Sequence, residues 1–381
     1  MKTNFEKLIL TVSALLLTSG SVLQAQSDKV YLDSIRHHRT LISTVPSNGD
    51  LNPYGVVVAT ASVGKIQKND VLVSNFNGLT NLQGTGTTIV NFNPSSKNLS
   101  TFATVPHNLA QCPGGVGMTT AMAMLKSGWV IVGSAPSSDG TTRTLGAGCL
   151  LVFDAEGKLA ATWANSDINC PWGNMAVVDK GNTATLFISM AGFDVPDVRV
   201  RDPKTGYPVT VNKATMLRIE LSIPEGKTPE MVKRTVIANG FGQRADRDVF
   251  LVGPTGVVLG PKDTLYVSDA LGNQIVAIDQ ASTRTDSAGL GRTVSKDGML
   301  RRPLAMDFAP NGNLLVLNAK NGQVVEINPA NGTQLGAQWI DNNAAQTPPG
   351  NGDLFGLAMK PDGRGFYYVE DDVNMLVEAT Q

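Results

Sequence analysis

Short apolar runs separated by turn residues recur along this chain, and the clearest example lies between residues 302 and 332. The apolar or alternating runs of this stretch are residues 304–308, 314–317 and 323–327. Asn311-Gly312 and Asn321-Gly322 lie in the turns, and Asn-Gly between such runs predicts an antiparallel hairpin. A sheet this small cannot bury its own apolar face, so it requires similar neighbours.

The rest of the chain supplies those neighbours. Comparable openings of a three- or four-strand unit occur at residues 52–58, 117–125, 172–178, 253–258 and 354–359. Radial repetition of small sheets protects their edges, so the pattern predicts an all-β, six-bladed β-propeller. The sixth unit is one strand short, and we expect the alternating residues 40–45 to complete it. A seven-bladed ring is the alternative if two units have been merged around residues 243–253.

The first residues have the pattern of an export signal. Lys2 and Lys7 precede or flank the apolar residues 8–17, and residues 23–25 end in a small side chain suited to cleavage. The apolar segment is short and interrupted by polar residues, which disfavours a permanent membrane span. We therefore expect residues 1–25 to be a signal peptide and the mature protein to be exported, to a periplasm or to the extracellular space.

Composition supports a folded globular domain. Hydrophobic residues make up 42% of the chain and charged residues 17%, which is typical of a globular protein. The 31 basic and 32 acidic residues nearly balance, which disfavours nucleic acid or an anionic membrane as the main partner. We expect an N-terminal arm at residues 26–39, followed by a single propeller domain at residues 40–381, and a monomer.

The fourth unit carries motifs that resemble a known repeat. Residues 254–257 read Pro-Thr-Gly-Val, residues 265–269 read Leu-Tyr-Val-Ser-Asp, and residues 273–275 read Asn-Gln-Ile. These motifs resemble NHL repeats, and the same stretches are similar to the wider six-bladed group that includes the gluconolactonase and regucalcin family. The resemblance implies a propeller fold, and because the motifs are structural it specifies fold better than activity.

The gluconolactonase family holds a divalent cation at its central channel with a Glu, an Asn and an Asp from three opening strands. By this resemblance the corresponding positions are Tyr54, Thr255 and Leu304. None of these side chains is a carboxylate or an amide, and a hard cation needs such oxygen ligands. The comparison therefore argues against that metal site and against lactonase activity. We expect no catalytic cofactor, while a structural calcium ion is left open.

One face of the propeller is expected to carry raised loops. The connections at residues 75–87, 134–148 and 191–214 are long, whereas the equivalent connections of the last three units are short. Long loops on one half of the face would form a cleft beside the central channel, and ligands usually bind in concave surfaces of this kind. This favours an exported scaffold that binds a ligand or a protein through the loops of the first three units. The alternative is that the loops cover sheet edges.

Polar and aromatic residues near the channel mouth are the candidate ligand contacts. They are Asn52, Tyr54, Asn75, His107, Trp172, Asn174 and Arg199. Each is expected to contact a ligand rather than to catalyse a reaction, and no catalytic residue is assigned. A competing interpretation is that the aromatic members fill the channel. A hydrolase or lyase with a rearranged, metal-dependent site is the second functional hypothesis.

The chain has three cysteines. Cys112 and Cys170 each precede a Pro at the opening of neighbouring units, so the two could form a disulfide in an oxidising compartment. Cys149 lies in an apolar run, which is typical of a buried free thiol. The sequence hypothesis is therefore a Cys112–Cys170 bridge.

Overall fold

The computed structural model describes residues 30–381, and β-strands dominate this part of the chain. The predicted signal peptide, residues 1–25, lies outside the described residues. Six antiparallel sheets form a ring, because the innermost strand of each sheet contacts the innermost strands of the two neighbouring sheets. The fold is a six-bladed β-propeller.

The strands follow one another in a regular order, each blade running from its innermost strand outward. The N-terminal strand, β1 (His37–Ser43), belongs to the last blade. The first blade contains β2 (Leu51–Val58), β3 (Val71–Asn77), β4 (Thr88–Asn93) and β5 (Asn98–Thr104). The second blade contains β6 (Met118–Met124), β7 (Val130–Ser134), β8 (Cys149–Phe153) and β9 (Leu159–Trp163). The third blade contains β10 (Pro171–Asp179), β11 (Thr183–Met190), β12 (Val211–Ser222), β13 (Glu230–Ala245) and the short β14 (Leu251–Val252).

The remaining blades have four strands each. The fourth contains β15 (Pro254–Gly260), β16 (Thr264–Asp269), β17 (Gln274–Ile278) and β18 (Arg292–Lys296). The fifth contains β19 (Pro303–Phe308), β20 (Leu314–Asn318), β21 (Gln323–Ile327) and β22 (Gln334–Trp339). The sixth contains β23 (Leu354–Met359), β24 (Gly365–Glu370) and β25 (Met375–Thr380), with β1 as its outermost strand. Within residues 30–381, 3₁₀ turns lie at Leu32–Ser34, Thr142–Thr144 and Pro261–Asp263.

The ring closes as the sequence predicts. Strand β1 pairs antiparallel with β25, from His37 opposite Thr380 to Ser43 opposite Met375. The closing strand thus begins at His37 rather than at residue 40, but the expected role is confirmed. The seven-bladed alternative is wrong, because residues 243–253 continue β13 into β14 and stay in the third blade.

Neighbouring blades are held together at the axis by a short hydrogen-bond relay. In the fourth blade, the Gly256 N–H donates to the Ser268 hydroxyl oxygen at 2.6 Å. The Ser268 hydroxyl in turn donates to the Leu304 carbonyl oxygen of the fifth blade at 2.7 Å. A Cβ at Gly256 would lie 2.3 Å from that same carbonyl oxygen, so the glycine is required by the close approach of the next blade. The Gly of the opening motif is therefore a packing residue.

The disulfide prediction is wrong. Cys112 is bonded to Cys149, with the two Cα atoms 5.2 Å apart, and Cys170 is a buried free thiol. The reason is the path of the loop before β8: the Gly148 N–H donates to the Pro113 carbonyl oxygen at 2.8 Å, which places Cys149 beside Cys112 within the second blade. Cys170 packs instead in the apolar cluster at the axis.

Candidate functional site

The innermost strands begin at one face of the ring, and an aromatic cluster closes the channel there. Tyr54 stacks on Phe355 with ring centroids 3.8 Å apart and on Phe76 at 4.6 Å. Trp172 packs edge-on against Phe76 at 5.6 Å, and Phe250 meets Phe76 at 5.4 Å. All five rings are buried. The five rings come from the first, third and sixth blades, and Leu304 of the fifth blade belongs to the same buried cluster.

The residues at the closed channel mouth lack the ligands of the cation site found in the gluconolactonase family. Tyr54 and Leu304 are buried in the apolar cluster, and the Thr255 hydroxyl donates to the Gly253 carbonyl oxygen at 3.0 Å. Burial, reinforced by the nearby Asp371 carboxylate, raises the pKa of Tyr54 well above its ordinary value, so its phenol stays neutral. These three positions offer no charged oxygen ligand.

Two further candidate ligand contacts, Asn75 and Asn52, are buried and form hydrogen bonds within the protein. Asn75 is fully buried, and its amide donates to the Thr44 carbonyl oxygen at 3.1 Å. Asn52 adopts a positive φ of 64°, and its N–H donates to the Asn374 side chain at 2.6 Å. Asn52 therefore fastens the first blade to the turn after β24, whereas Asn75 fastens β3 to the link between β1 and β2.

The remaining candidates are spread over the molecule. His107 is partly exposed and its Nδ1 lies 2.6 Å from the Val116 carbonyl oxygen. Arg199 is exposed in the long loop of the third blade, where it pairs with Asp197 at 2.9 Å. The structure brings Tyr54 and Trp172 together, with their ring centroids 6.0 Å apart, and places the Asn52 side chain at hydrogen-bonding range of the Tyr54 hydroxyl. Their role as ligand contacts stays a prediction.

Below the aromatic cluster, the channel opens toward the opposite face. This cavity has a volume of about 530 Å³ and is lined mainly by the aliphatic ends of the inner strands. Asn174 lies on its wall, with a buried side-chain oxygen that has no hydrogen-bond partner. Asp307 lies there too; burial raises the pKa of its carboxyl, although the Phe308 and Met359 N–H groups donate to it. Sequence reasoning placed Asn174 at the mouth and did not identify Asp307.

Raised loops surround the sealed mouth on the side of the first three blades. They are residues 78–87 between β3 and β4, residues 135–148 between β7 and β8, and residues 191–210 between β11 and β12. In the last three blades the same connections span residues 270–273, 319–322 and 371–374. The uneven face predicted from the loop lengths is therefore present.

The raised loops are tied to one another. The Ser137 N–H of the second loop donates to the Gly84 carbonyl oxygen of the first at 2.9 Å. The Thr142 hydroxyl donates to the Pro196 carbonyl oxygen of the third loop at 3.2 Å. Contacts of this kind hold the loops in one conformation before any partner arrives, which lowers the entropic cost of binding.

Each of the two longer loops is also ordered from within. Hydrogen bonds from Thr144, followed by those from Arg143, hold the pKa of Asp139 well below its usual range. In the third loop, hydrogen bonds from Arg199 lower the pKa of Asp197 to about 2. Both carboxylates are therefore ionised at neutral pH and serve as acceptors that fix their own loops.

Large apolar side chains project from the first and third loops. The exposed fraction is 72% for Leu79 and 60% for Tyr207, and Leu82 and Val200 are exposed as well. The Arg244 guanidinium lies over the Tyr207 ring, 4.7 Å from its centroid. Tyr and Arg are enriched among residues that dominate binding energy at protein interfaces. The loops thus combine fixed backbones with exposed apolar and aromatic contacts.

Comparison with known proteins supports the fold. The chain matches no protein-family model, and no curated protein sequence resembles it closely enough to be called a relative. Among solved structures, it is similar to a gluconolactonase from Xanthomonas campestris, at 13% identity and a TM-score of 0.53, over 91% of this chain and 89% of that one. It is also similar to the PQQ-bound aldose sugar dehydrogenase of Streptomyces coelicolor, at 14% identity and a TM-score of 0.51, over 90% and 98% of the two chains.

A third similar structure is a luciferin-regenerating enzyme, at 11% identity and a TM-score of 0.50, over 89% of this chain and 94% of that one. The three proteins are enzymes, and what they share with this chain is the propeller architecture. At such low identity the activity of an enzyme does not transfer to another chain with the same fold. Within residues 30–381, no helix is long and apolar enough to cross a membrane.

Proposed function

We propose that this protein is an exported recognition protein that binds a protein partner through the raised loops of its first three blades. The observation that carries the proposal is the sealed channel mouth beside loops that expose Leu79 and Tyr207. A small molecule needs a concave site that covers most of its surface, whereas a protein can bind a projecting rim. The face with the raised loops suits the second kind of ligand.

Export is part of this proposal. The N-terminal residues have the pattern of a signal peptide, and the Cys112–Cys149 disulfide supports an oxidising compartment, because cytosolic thiols are kept reduced. The partner would accordingly be a protein of the cell envelope or the extracellular space. The near balance of basic and acidic residues in the chain favours recognition by shape and apolar contact over long-range steering.

A pair of matched variants tests the proposal. Val200→Asp places a charge on the loop of the third blade, whereas Val232→Asp places one on β13, outside the raised loops. The two side chains are similarly exposed, at 50% and 61%. Affinity capture from envelope extracts of the source organism should enrich the same protein with the wild type and with Val232→Asp, and lose it with Val200→Asp. Equal capture by all three proteins would contradict the proposal.

The second hypothesis, a hydrolase or lyase with a rearranged site, is favoured by one observation. Asp307 combines a raised pKa with a place on the wall of the lower cavity, and such carboxyl groups are candidates for general acid–base catalysis. Assays of lactones and esters with added divalent cations test it. Turnover that is present in the wild type and absent from a folded Asp307→Asn variant would establish this enzyme and displace the recognition proposal.

A further inference from the structure

Acidic side chains meet at the junction of the fifth and sixth blades. Asp353 lies just before β23, and Asp371 and Asp372 lie in the turn between β24 and β25. One carboxylate oxygen of each of these residues lies within 4.8 Å of those of the other two. Like charges so close together repel strongly unless something compensates them.

Asp341, from the loop that joins β22 to β23, provides a second and independent observation. Its side chain is only 8% exposed; one oxygen accepts the Asn343 N–H at 2.9 Å, while Oδ2 is buried without a hydrogen-bond partner. That carboxylate faces Asp353 at hydrogen-bonding range. An unpartnered buried carboxylate oxygen is costly, so one that points into an acidic cluster indicates a ligand there.

Asp353, like Asp341, is buried with one carboxylate oxygen hydrogen-bonded and the other without a partner. It is 3% exposed; Oδ1 accepts a hydrogen bond from the Gln346 amide, and Oδ2 has no partner. The Gln346 side-chain oxygen is also buried without a partner. The unsatisfied atoms at this junction are therefore oxygens that can accept a bond or bind a cation.

Basic side chains do not compensate these charges. None of the ion pairs formed by the described residues includes Asp341, Asp353, Asp371 or Asp372. Among the described residues, these carboxylates therefore lie close together without a basic partner.

We propose that Asp341, Asp353, Asp371 and Asp372 bind one calcium ion. Several carboxylates supplemented by amide or carbonyl oxygens are what calcium requires, whereas magnesium usually retains its waters and takes one or two carboxylates. Zinc prefers nitrogen and sulfur ligands, which this set does not supply. The site lies apart from the raised loops of the first three blades, so it does not depend on the proposed recognition function.

The bound ion would fasten the loop at residues 341–353 to the turn at residues 371–374. These segments belong to the junction next to the blade that closes the ring, so calcium would raise the stability of the whole propeller by binding only the folded chain. The sequence alone did not reveal the site, because Glu370-Asp371-Asp372 lacks the alternating spacing of a calcium loop and the other ligands lie in a different connection.

Thermal unfolding and calorimetric titration of chelator-treated protein test the proposal. Millimolar calcium should raise the Tm of the wild type by about 5 °C, and magnesium should raise it much less. Asp353→Asn/Asp371→Asn should lose both the shift and the heat of binding, while Glu225→Gln/Asp286→Asn, which removes two exposed acids, should retain both. Without calcium, the cluster variant should be at least as stable as the wild type, because it relieves the repulsion.

Three results would overturn the assignment. They are the absence of calcium binding by the wild type, unchanged binding by the cluster variant, and a magnesium shift as large as that of calcium. The far-UV circular dichroism of each variant shows whether it is folded, so a loss of binding through misfolding is recognised separately.

Discussion

Gly173 of the third blade lies so close to Thr255 of the fourth that a Cβ on the glycine would be 1.4 Å from the Thr255 carbonyl oxygen. The same relationship joins the last blade to the first, where a Cβ on Gly356 would be 2.2 Å from the Tyr54 carbonyl oxygen. The glycines of the opening motifs therefore set the distance between neighbouring inner strands. This close spacing brings the buried rings of Tyr54 and Trp172 into one cluster at the axis.

Gly173→Ala should destabilise the protein severely, by about 3 kcal/mol or more, because the backbone of a neighbouring blade must shift to admit the methyl group. Urea unfolding followed by circular dichroism measures the loss. Gly336→Ala on the outer strand β22 is the matched control, since its added Cβ would make only an ordinary contact of 3.6 Å with Val30. A stable Gly173→Ala protein would contradict the account of blade spacing.

Trp172→Ala should remove about 4 kcal/mol from the free energy of unfolding, because it takes a buried indole from the cluster that seals the channel. Trp339→Ala removes the same side chain from an exposed position on β22 and should cost less than about 1 kcal/mol. Circular dichroism is the suitable probe, since both changes alter the tryptophan fluorescence. Similar losses for the two variants would show that the rings do not form a packed plug.

The buried thiol of Cys170 should be unreactive in the folded protein. Burial raises its pKa far above the ordinary value, and the reactive thiolate is not formed at neutral pH. A thiol reagent should modify nothing in the native state and one residue after unfolding without reductant. Peptide mapping should locate the label at Cys170. A label at Cys149 would restore the Cys112–Cys170 bridge that the sequence predicted.

Glu378 should contribute to stability at neutral pH and lose that contribution in acid. Burial opposes ionisation of Glu378, but hydrogen bonds from Arg39 and Lys360 outweigh it and lower the pKa of the carboxyl. A lowered pKa in the folded chain means that stability is present above the ordinary glutamate value and is lost as pH falls through the folded value.

The comparison of Glu378→Gln with the wild type measures this effect. The variant should be less stable at about pH 7 and differ less from the wild type at about pH 3. Glu225→Gln, an exposed change, is expected to have no effect at either pH. A difference that grows on acidification would contradict the assigned ion pairs, of which Arg39–Glu378 joins the closing strand β1 to β25.

The strands could be predicted from the sequence because their signals are local. Alternation and the Asn-Gly turns of residues 304–327 predicted β19, β20 and β21, and the alternating residues 40–45 predicted most of the closing strand. Outer strands such as β18 (Arg292–Lys296) carry little apolar pattern, because one face lies in solvent, and they were not identified.

The site was less predictable because it depends on the paths of connections. Phe250 reaches the aromatic cluster from the turn between β13 and β14, where it adopts a positive φ of 64°. Cys149 meets Cys112 because the preceding loop folds back along Pro113. Periodicity carries no information on such paths, so neither contact could be read from spacing.

Site-specific photo-crosslinking in the source organism tests the central claim most directly. A photoreactive amino acid at Tyr207 lies on the raised loop of the third blade, and the same amino acid at Val232 is similarly exposed, at 60% against 61%, but lies away from the loops. The account predicts a discrete crosslinked protein from position 207 and none from position 232. Absence of a crosslink at position 207, or the same product from both positions, would contradict recognition through the raised loops.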